Sequence, residues 1–115
     1  MSDLVPLRDD LRRFAADRDW DQFHSPKNLA SALAVEAAEL LEPFQWLTDE
    51  QSRNLSVDQV SVVRKELADV LLYLVRLADK LDVDLIDAAR DKIAENTVRY
   101  PVDKSRGSSR KYSEL

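Results

Sequence analysis

Several residue types are scarce in this chain of 115 residues, which has no cysteine, one glycine, one histidine and four prolines. The absence of cysteine excludes disulfides and thiol chemistry and fits a cytosolic protein. With one histidine and no cysteine, the sequence argues against Ser-His-Asp and Cys-His arrangements for nucleophilic catalysis. The glycine-rich loops G-x-x-x-x-G-K-[ST] and G-x-G-x-x-G are also missing. Any phosphate group must therefore be held in another way.

Long apolar runs and an excess of basic residues are missing as well. No apolar run reaches the length of a membrane-spanning helix, and the first residues show neither the basic nor the apolar region of a signal peptide. The formal net charge of −5 argues against wholesale nucleic-acid binding, which needs a basic face. We therefore expect a soluble, cytoplasmic protein.

The residues that are abundant favour helices. Alanine, leucine and charged residues dominate, which predicts an all-α fold in a single domain, residues 1–115, with 101–115 as a basic, irregular tail. In segment 18–24 the apolar residues show no clear helical or strand periodicity, so the segment is predicted to be a loop. The predicted bundle has about four main helices, which begin at caps or prolines and end at prolines or polar turns. They run from Ser2 or Asp3 to Asp17, from Ser25-Pro26 to Pro43, from Ser56 to Leu81 and from Leu85 to Tyr100, with a short capped turn at Thr48.

The longest predicted helix is unusually apolar. From Leu67 to Ala78 it is apolar nearly all round, with Leu72 and Val75 on faces that would otherwise meet water. Such a helix is central in a bundle or is covered by another subunit, so we expect oligomerisation to complete the bundle. The predicted core stripes are Leu29, Leu33, Ala37, Leu40 and Phe44 on the second main helix, and Val63, Leu67, Val70, Leu74, Leu77 and Leu81 on the longest.

Two acidic pairs flank these stripes, Glu36-x-x-Glu39 and Glu66-x-x-Asp69. Residues three apart on a helix are neighbours, so each pair can close on one cation. If the two helices face each other, four carboxylates converge, and their repulsion requires a counter-charge. Hard divalent cations prefer oxygen ligands, and Mg²⁺ is the common choice beside phosphates. Because neither pair contains histidine, di-iron oxygen chemistry is disfavoured, and metal-assisted phosphoanhydride hydrolysis is favoured.

Aromatic and basic residues outside these pairs are further candidates. Trp20 and Phe23 either plug the end of the bundle or grip a flat ligand, and a lone histidine such as His24 is more often structural than functional. Lys92, Asn96 and Arg99 share one helix face, which is either ordinary solvated surface or a contact for phosphate and sugar oxygens. The basic tail either is disordered or closes over an anionic ligand.

Beyond these features, the sequence resembles a known family. Its acidic motifs look like the metal signature of the all-α nucleoside triphosphate pyrophosphatases, the MazG-like superfamily, and within it the likeness is greatest to members that act on dCTP. The resemblance covers most of the chain. It runs through Phe14–His24, Ser25–Leu29, Glu36–Leu40, Phe44–Trp46, Glu66–Val75, Asn96–Pro101, Ser105–Gly107 and Lys111-Tyr112.

This resemblance implies a MazG-like helical bundle that cleaves a nucleotide, most readily dCTP or a modified dCTP, to monophosphate and pyrophosphate. It implies Mg²⁺ as cofactor and a homodimer or dimer of dimers as assembly. The short link between Trp46 and Ser56 departs from the family pattern and leaves the preferred base open. The implied metal ligands are Glu36, Glu39, Glu66 and Asp69, with Glu36 or Glu39 as proton acceptor; the implied substrate-binding residues are Trp20, His24, Trp46, Tyr73, Lys92, Asn96, Arg99, Lys111 and Tyr112.

Two other functions fit the same sequence. One is a broad house-cleaning pyrophosphatase for non-standard nucleotides, since pocket shape depends on how loops and subunits meet. The other is a non-catalytic helical interaction module, whose acidic pairs only keep its surface hydrated. Mg²⁺ should stabilise the enzyme but not the module, because a ligand that binds the folded state shifts the unfolding equilibrium.

Overall fold

The structure, a computed structural model, describes residues 2–114, and every regular element in that range is helical. The all-α prediction is therefore confirmed. The chain divides into two compact units, one comprising Asp3–Val83 and the other beginning at Asp84. The α-helices are α1 (Val5–Asp17), α2 (Pro26–Leu41), α3 (Asp49–Ser52), α4 (Val57–Lys80), α5 (Leu85–Arg99) and α6 (Val102–Ser105). Single 3-10 turns lie at Ser2–Leu4, Asp21–Phe23 and Tyr112–Glu114.

Local side-chain caps set the starts of several helices. The Ser25 hydroxyl accepts a hydrogen bond from the backbone N–H of Asn28 at 3.1 Å, and Pro26 occupies the first helical position, where its missing N–H is harmless. Thr48 and Ser56 each form a reciprocal capping box with a glutamine three residues on. These three predicted helix starts are confirmed.

Two predictions about the ends of the chain were wrong. α1 begins at Val5, after a 3-10 turn, and Leu4 occupies its cap position without a side-chain hydrogen bond, so neither Ser2 nor Asp3 caps it. Segment 18–24 connects α1 to α2, as predicted for a loop, and contains one 3-10 turn. The tail is not wholly irregular, because Pro101 ends α5 and then accepts the first hydrogen bonds of α6, from the N–H groups of Lys104 and Ser105.

The core of the first unit lies where α2 and α1 pack against α4. Leu29 on α2 and Val75 on α4 are fully buried, and Ala15 on α1 and Ala78 on α4 are also buried. Removing one such aliphatic side chain from water contributes about 1.5–3 kcal/mol. No helix among the described residues is long and apolar enough to cross a membrane.

The face of α4 that is buried differs from the predicted one. Val75, expected on a water-facing side, has an exposure of 0%, whereas the predicted core residues Leu67 and Leu74 are 53% and 37% exposed. α1 and α2 both pack against α4, whose buried residues are Val75, Arg76 and Ala78. In a segment that is apolar all round, helical periodicity alone cannot select the face that these partners cover.

Candidate active site

Three carboxylates converge where α2 packs against α4. Glu36 and Glu39 come from α2 and Glu66 comes from α4, and one oxygen of each lies within 4.8 Å of the other two. All three side chains are partly buried. The i, i+3 spacing of the α2 pair places both acids on one edge of the helix, as predicted.

The electrostatics of this acidic cluster, Glu36, Glu39 and Glu66, call for a cation. Hydrogen bonding with Glu39, burial and the neighbouring charges of Glu39, Asp69 and Glu66 raise the pKa of Glu36 from 4.5 to about 7. Burial, followed by the charges of Glu39, Asp69 and Glu42, raises the pKa of Glu66. The Oε2 atoms of Glu36 and Glu66 are shielded from water and have no hydrogen-bond partner among the described residues.

An all-oxygen set of this kind fits a hard divalent cation. Two shielded oxygens without partners are costly in the absence of a bound group, and carboxylates are the ligands that Mg²⁺ and Ca²⁺ prefer. Asp69, the fourth predicted ligand, is not one of the three mutually close acids. Its charge nevertheless raises the pKa values of Glu36 and Glu66, so it lies within electrostatic range of them.

A pocket of about 170 Å³ lies next to Asp69. Trp20, His24 and Tyr73 line it together, and all three were predicted to contact substrate. Aromatic walls suit a flat ligand. Among the described residues, the lining consists of Leu11, Phe14, Trp20, His24, Asp69, Leu72, Tyr73 and Arg76.

The C-terminal turn of α1 fixes the position of Trp20. Asp19 has a φ of 53°, and the N–H groups of Asp19 and Trp20 donate to the carbonyls of Ala16 and Ala15 at 3.1 and 2.9 Å. This pair of bonds is a Schellman motif. The Trp20 ring then meets Phe14 edge to face, with ring centroids 5.6 Å apart.

Arg76 is a pocket residue to which the sequence prediction gave no role. Its Nε donates a hydrogen bond to Nδ1 of His24 at 3.1 Å, and it also pairs with Asp21 at 2.5 Å. The available signal was its place on α4, seven residues after Asp69 and three after Tyr73, on the same edge of the helix. Its bonds to His24 and Asp21 could not be predicted because these residues are more than fifty positions away in sequence.

The other predicted substrate residues do not line this pocket. Trp46 follows α2, is 86% exposed and is not among the residues lining the pocket, so its role stays a prediction. Lys92 and Arg99 on α5 both pair with Glu95, at 3.2 and 2.7 Å. The Arg99 guanidinium also lies 4.8 Å from the centroid of the Tyr112 ring. Lys92, Asn96, Arg99, Lys111 and Tyr112 all belong to the unit that begins at Asp84, and their roles also stay predictions.

Comparison with protein families identifies the chain. The model of the MazG-like family matches residues 32–115, which include all four predicted metal ligands. The chain belongs to the MazG-like family. This family consists of nucleoside triphosphate pyrophosphohydrolases that generally use a divalent metal, so the predicted enzyme class, a nucleotide pyrophosphatase, is confirmed.

Individual MazG-like relatives support this assignment. The chain is 47% identical to dCTP pyrophosphatase 1 of Bos taurus over 116 residues, which cover 96% of this chain and 69% of the relative. Identity to dCTP pyrophosphatase 1 of Homo sapiens is also 47%, over 96% of this chain and 68% of the relative. The crystal structure of a pyrophosphatase from Archaeoglobus fulgidus superposes with a TM-score of 0.81 at 38% identity, covering 85% of this chain and 92% of that one.

Proposed function

We propose that this MazG-like protein hydrolyses dCTP or a modified dCTP to the monophosphate and pyrophosphate in the presence of Mg²⁺. The observation that carries the proposal is the acidic cluster, with its two shielded, unpartnered oxygens, next to an aromatic pocket of about 170 Å³. A flat base and a charged phosphate chain are the two parts of a nucleotide, and these two neighbouring features are suited to one part each.

Glu36, Glu39 and Glu66, with Asp69 at their edge, would hold the metal. When bound, Mg²⁺ would shield the negative charge of the phosphates and lower the pKa of a water molecule near them. The residues themselves supply the proton acceptor. Because a carboxylate oxygen of Glu36 lies within 4.8 Å of one of Glu39, and Glu39 raises the pKa of Glu36, the pair is suited to accept a proton from the attacking water.

The base and the phosphates would use different residues. Trp20 and Tyr73 offer ring faces for stacking, and His24 and Asp69 offer polar atoms at the wall of the pocket. Trp46 would complete the contacts to the base. Basic and amide groups suit phosphate and sugar oxygens, and this is the role proposed for Lys92, Asn96 and Arg99. Lys111 and Tyr112 are proposed to belong to the tail that closes over the substrate.

We further propose that the active unit is a homodimer or a dimer of dimers formed through α4. Apolar residues repeat every seven positions along one exposed line of this helix, and Val63, Val70 and Leu77, all partly buried, lie between them. Such 3–4 spacing is the pattern of helices that pack side by side. The exposed line consists of Val60, Leu67, Leu74 and Leu81, which are 51%, 53%, 37% and 54% exposed.

Light scattering after size-exclusion chromatography tests this assembly. Leu74→Glu places a charge on the exposed line and should reduce the molecular mass in solution. Val62→Glu is the matched control, because Val62 is 52% exposed on the same helix but lies off the line. If Leu74→Glu keeps the assembly of the wild type, α4 is not the interface.

A cytoplasmic location is also part of the proposal, since a chain without cysteine does not depend on an oxidising compartment.

A nucleotide panel tests the substrate. Purified protein is incubated with each dNTP, each NTP and 5-methyl-dCTP, with Mg²⁺ or with excess chelator, and the products are separated. The proposal predicts Mg²⁺-dependent monophosphate and pyrophosphate, formed fastest from dCTP or its modified form. Similar rates with non-standard nucleotides would instead favour a house-cleaning enzyme, and formation of a diphosphate and phosphate would contradict the bond that is proposed to break.

A further inference from the structure

Arg76 is a buried cation in the wall of the aromatic pocket. Its side chain is only 7% exposed, although arginine is rarely buried without partners. All parts of its guanidinium are engaged. Nε donates to His24 Nδ1 at 3.1 Å, one terminal nitrogen meets Asp21 at 2.5 Å, and the other lies 3.5 Å from Asp79.

The bond to His24 determines which ring nitrogen carries the proton. A guanidinium has only donors, so the Nδ1 atom that faces it must offer a lone pair. The imidazole of His24 is therefore uncharged and carries its proton on Nε2. Burial and the positive charges of Arg76 and Lys80 also lower the pKa of His24, against a smaller opposing effect of Asp21.

We propose that Arg76 is a positioning residue that holds His24 in the Nε2–H form, so that the pocket presents a fixed hydrogen-bond donor to an acceptor atom of the bound base. The proposal rests on the proposed function only in taking the ligand to be a nucleotide base. A cytosine ring carries acceptors at N3 and O2, and a charged or freely exchanging imidazole would not present one defined donor to either. Arg76 would thus influence which base is bound by fixing the proton on the uncharged ring of His24.

The surrounding ion pairs allow this arrangement to be tested without dismantling the fold. Asp21 also pairs with Lys80 at 2.5 Å, and Asp79 also accepts two hydrogen bonds from Arg12, at 2.7 and 2.5 Å. Arg76→Met therefore leaves both carboxylates with a cation and keeps an unbranched chain in the space. Lys80→Met is the matched control, because Lys80 shares the Asp21 partner but forms no hydrogen bond with His24 among the described residues.

His24 is the only histidine in the sequence, so a long-range ¹H–¹⁵N NMR spectrum reports its protonation without assignment. At pH 7 without nucleotide, the wild type and Lys80→Met should show a neutral ring with the proton on Nε2. Arg76→Met should show exchange between both tautomers. A wild-type ring that is charged or protonated on Nδ1, or an Arg76→Met ring still locked on Nε2, would overturn the proposal whether or not the protein turns over nucleotides.

Steady-state kinetics test the consequence for binding. Loss of one defined hydrogen bond should raise KM for dCTP about 2- to 10-fold in Arg76→Met, with a smaller change in kcat. Lys80→Met should keep both constants. If Arg76→Met loses the tautomer but keeps KM, the donor does not serve the base. If no nucleotide is hydrolysed by the wild type, the proposed function fails while the spectrum still decides the tautomer.

Discussion

Glu36→Gln should be more stable than the wild type without metal and less stable than the wild type with bound Mg²⁺. The amide has the shape of the carboxylate but carries no charge, so it relieves repulsion in the acidic cluster and removes a metal ligand. Above pH 7 in a chelating buffer, the variant should unfold at a higher temperature than the wild type. With saturating Mg²⁺ the order of the two melting temperatures should reverse, because a ligand that binds the folded state more tightly stabilises it more.

The magnitude follows from the pKa of Glu36, which rises from 4.5 to about 7. Each pKa unit corresponds to about 1.4 kcal/mol, so ionisation costs the metal-free fold at most about 3.5 kcal/mol. The side chain is only partly buried, and screening by water reduces this to about 1 kcal/mol. For a domain of this size the gain corresponds to an increase in Tm of about 3–5 °C.

Linkage between proton binding and folding determines whether the stability of the wild type rises or falls with pH. The folded state binds this proton more tightly than the unfolded state, so the wild type loses stability as the pH rises from 4.5 to about 7. Glu36→Gln should lack this loss and match the wild type below pH 4.5. Thermal melts in chelator across pH 4–8, with exposed Glu50→Gln as control, measure the difference. Equal melting of wild type and Glu36→Gln at pH 8 would refute the reasoning.

Three further changes probe the fold. Asp82, with a φ of 54°, sits in the left-handed position after α4, so Asp82→Gly should raise stability by about 0.5–1 kcal/mol, whereas Asp82→Ala should give no gain in the same thermal melt. Leu29→Ala should cost about 2–4 kcal/mol in urea unfolding, since Leu29 is 1% exposed, while Val35→Ala at an exposed site should cost much less. Ser56→Ala should cost about 1 kcal/mol by breaking the capping box of α4; an unchanged midpoint would mean that packing alone holds this helix end.

Local chemistry explains which parts of the fold could be predicted. Ser25, Thr48 and Ser56 were identified as helix starts because a cap bond joins residues only three apart. The start of α1 has no such bond, and its position depends on packing that the sequence does not display. The buried face of α4 likewise depends on where α1 and α2 lie, which is why Val75 was assigned to the wrong side.

In the candidate site too, features that depend on local spacing could be predicted, and features that depend on helix packing could not. The i, i+3 acid pairs made the convergence of Glu36, Glu39 and Glu66 predictable once two helices were taken to face each other. The offset of Asp69 toward the pocket depends on how those helices cross, and a sequence pattern does not contain that angle. The Arg76–His24 bond joins residues on separate elements, 52 positions apart, so it became visible only in the folded chain.

The measurement that tests the central claim most directly is the initial rate of pyrophosphate formation from dCTP as a function of Mg²⁺ concentration, for the wild type and Glu66→Gln. The wild type should be inactive in excess chelator and should reach a maximal rate as Mg²⁺ saturates the acidic cluster. Glu66→Gln should need far more Mg²⁺ or remain inactive while it stays folded. Hydrolysis by the wild type without divalent metal, or the same Mg²⁺ dependence in both proteins, would contradict the account.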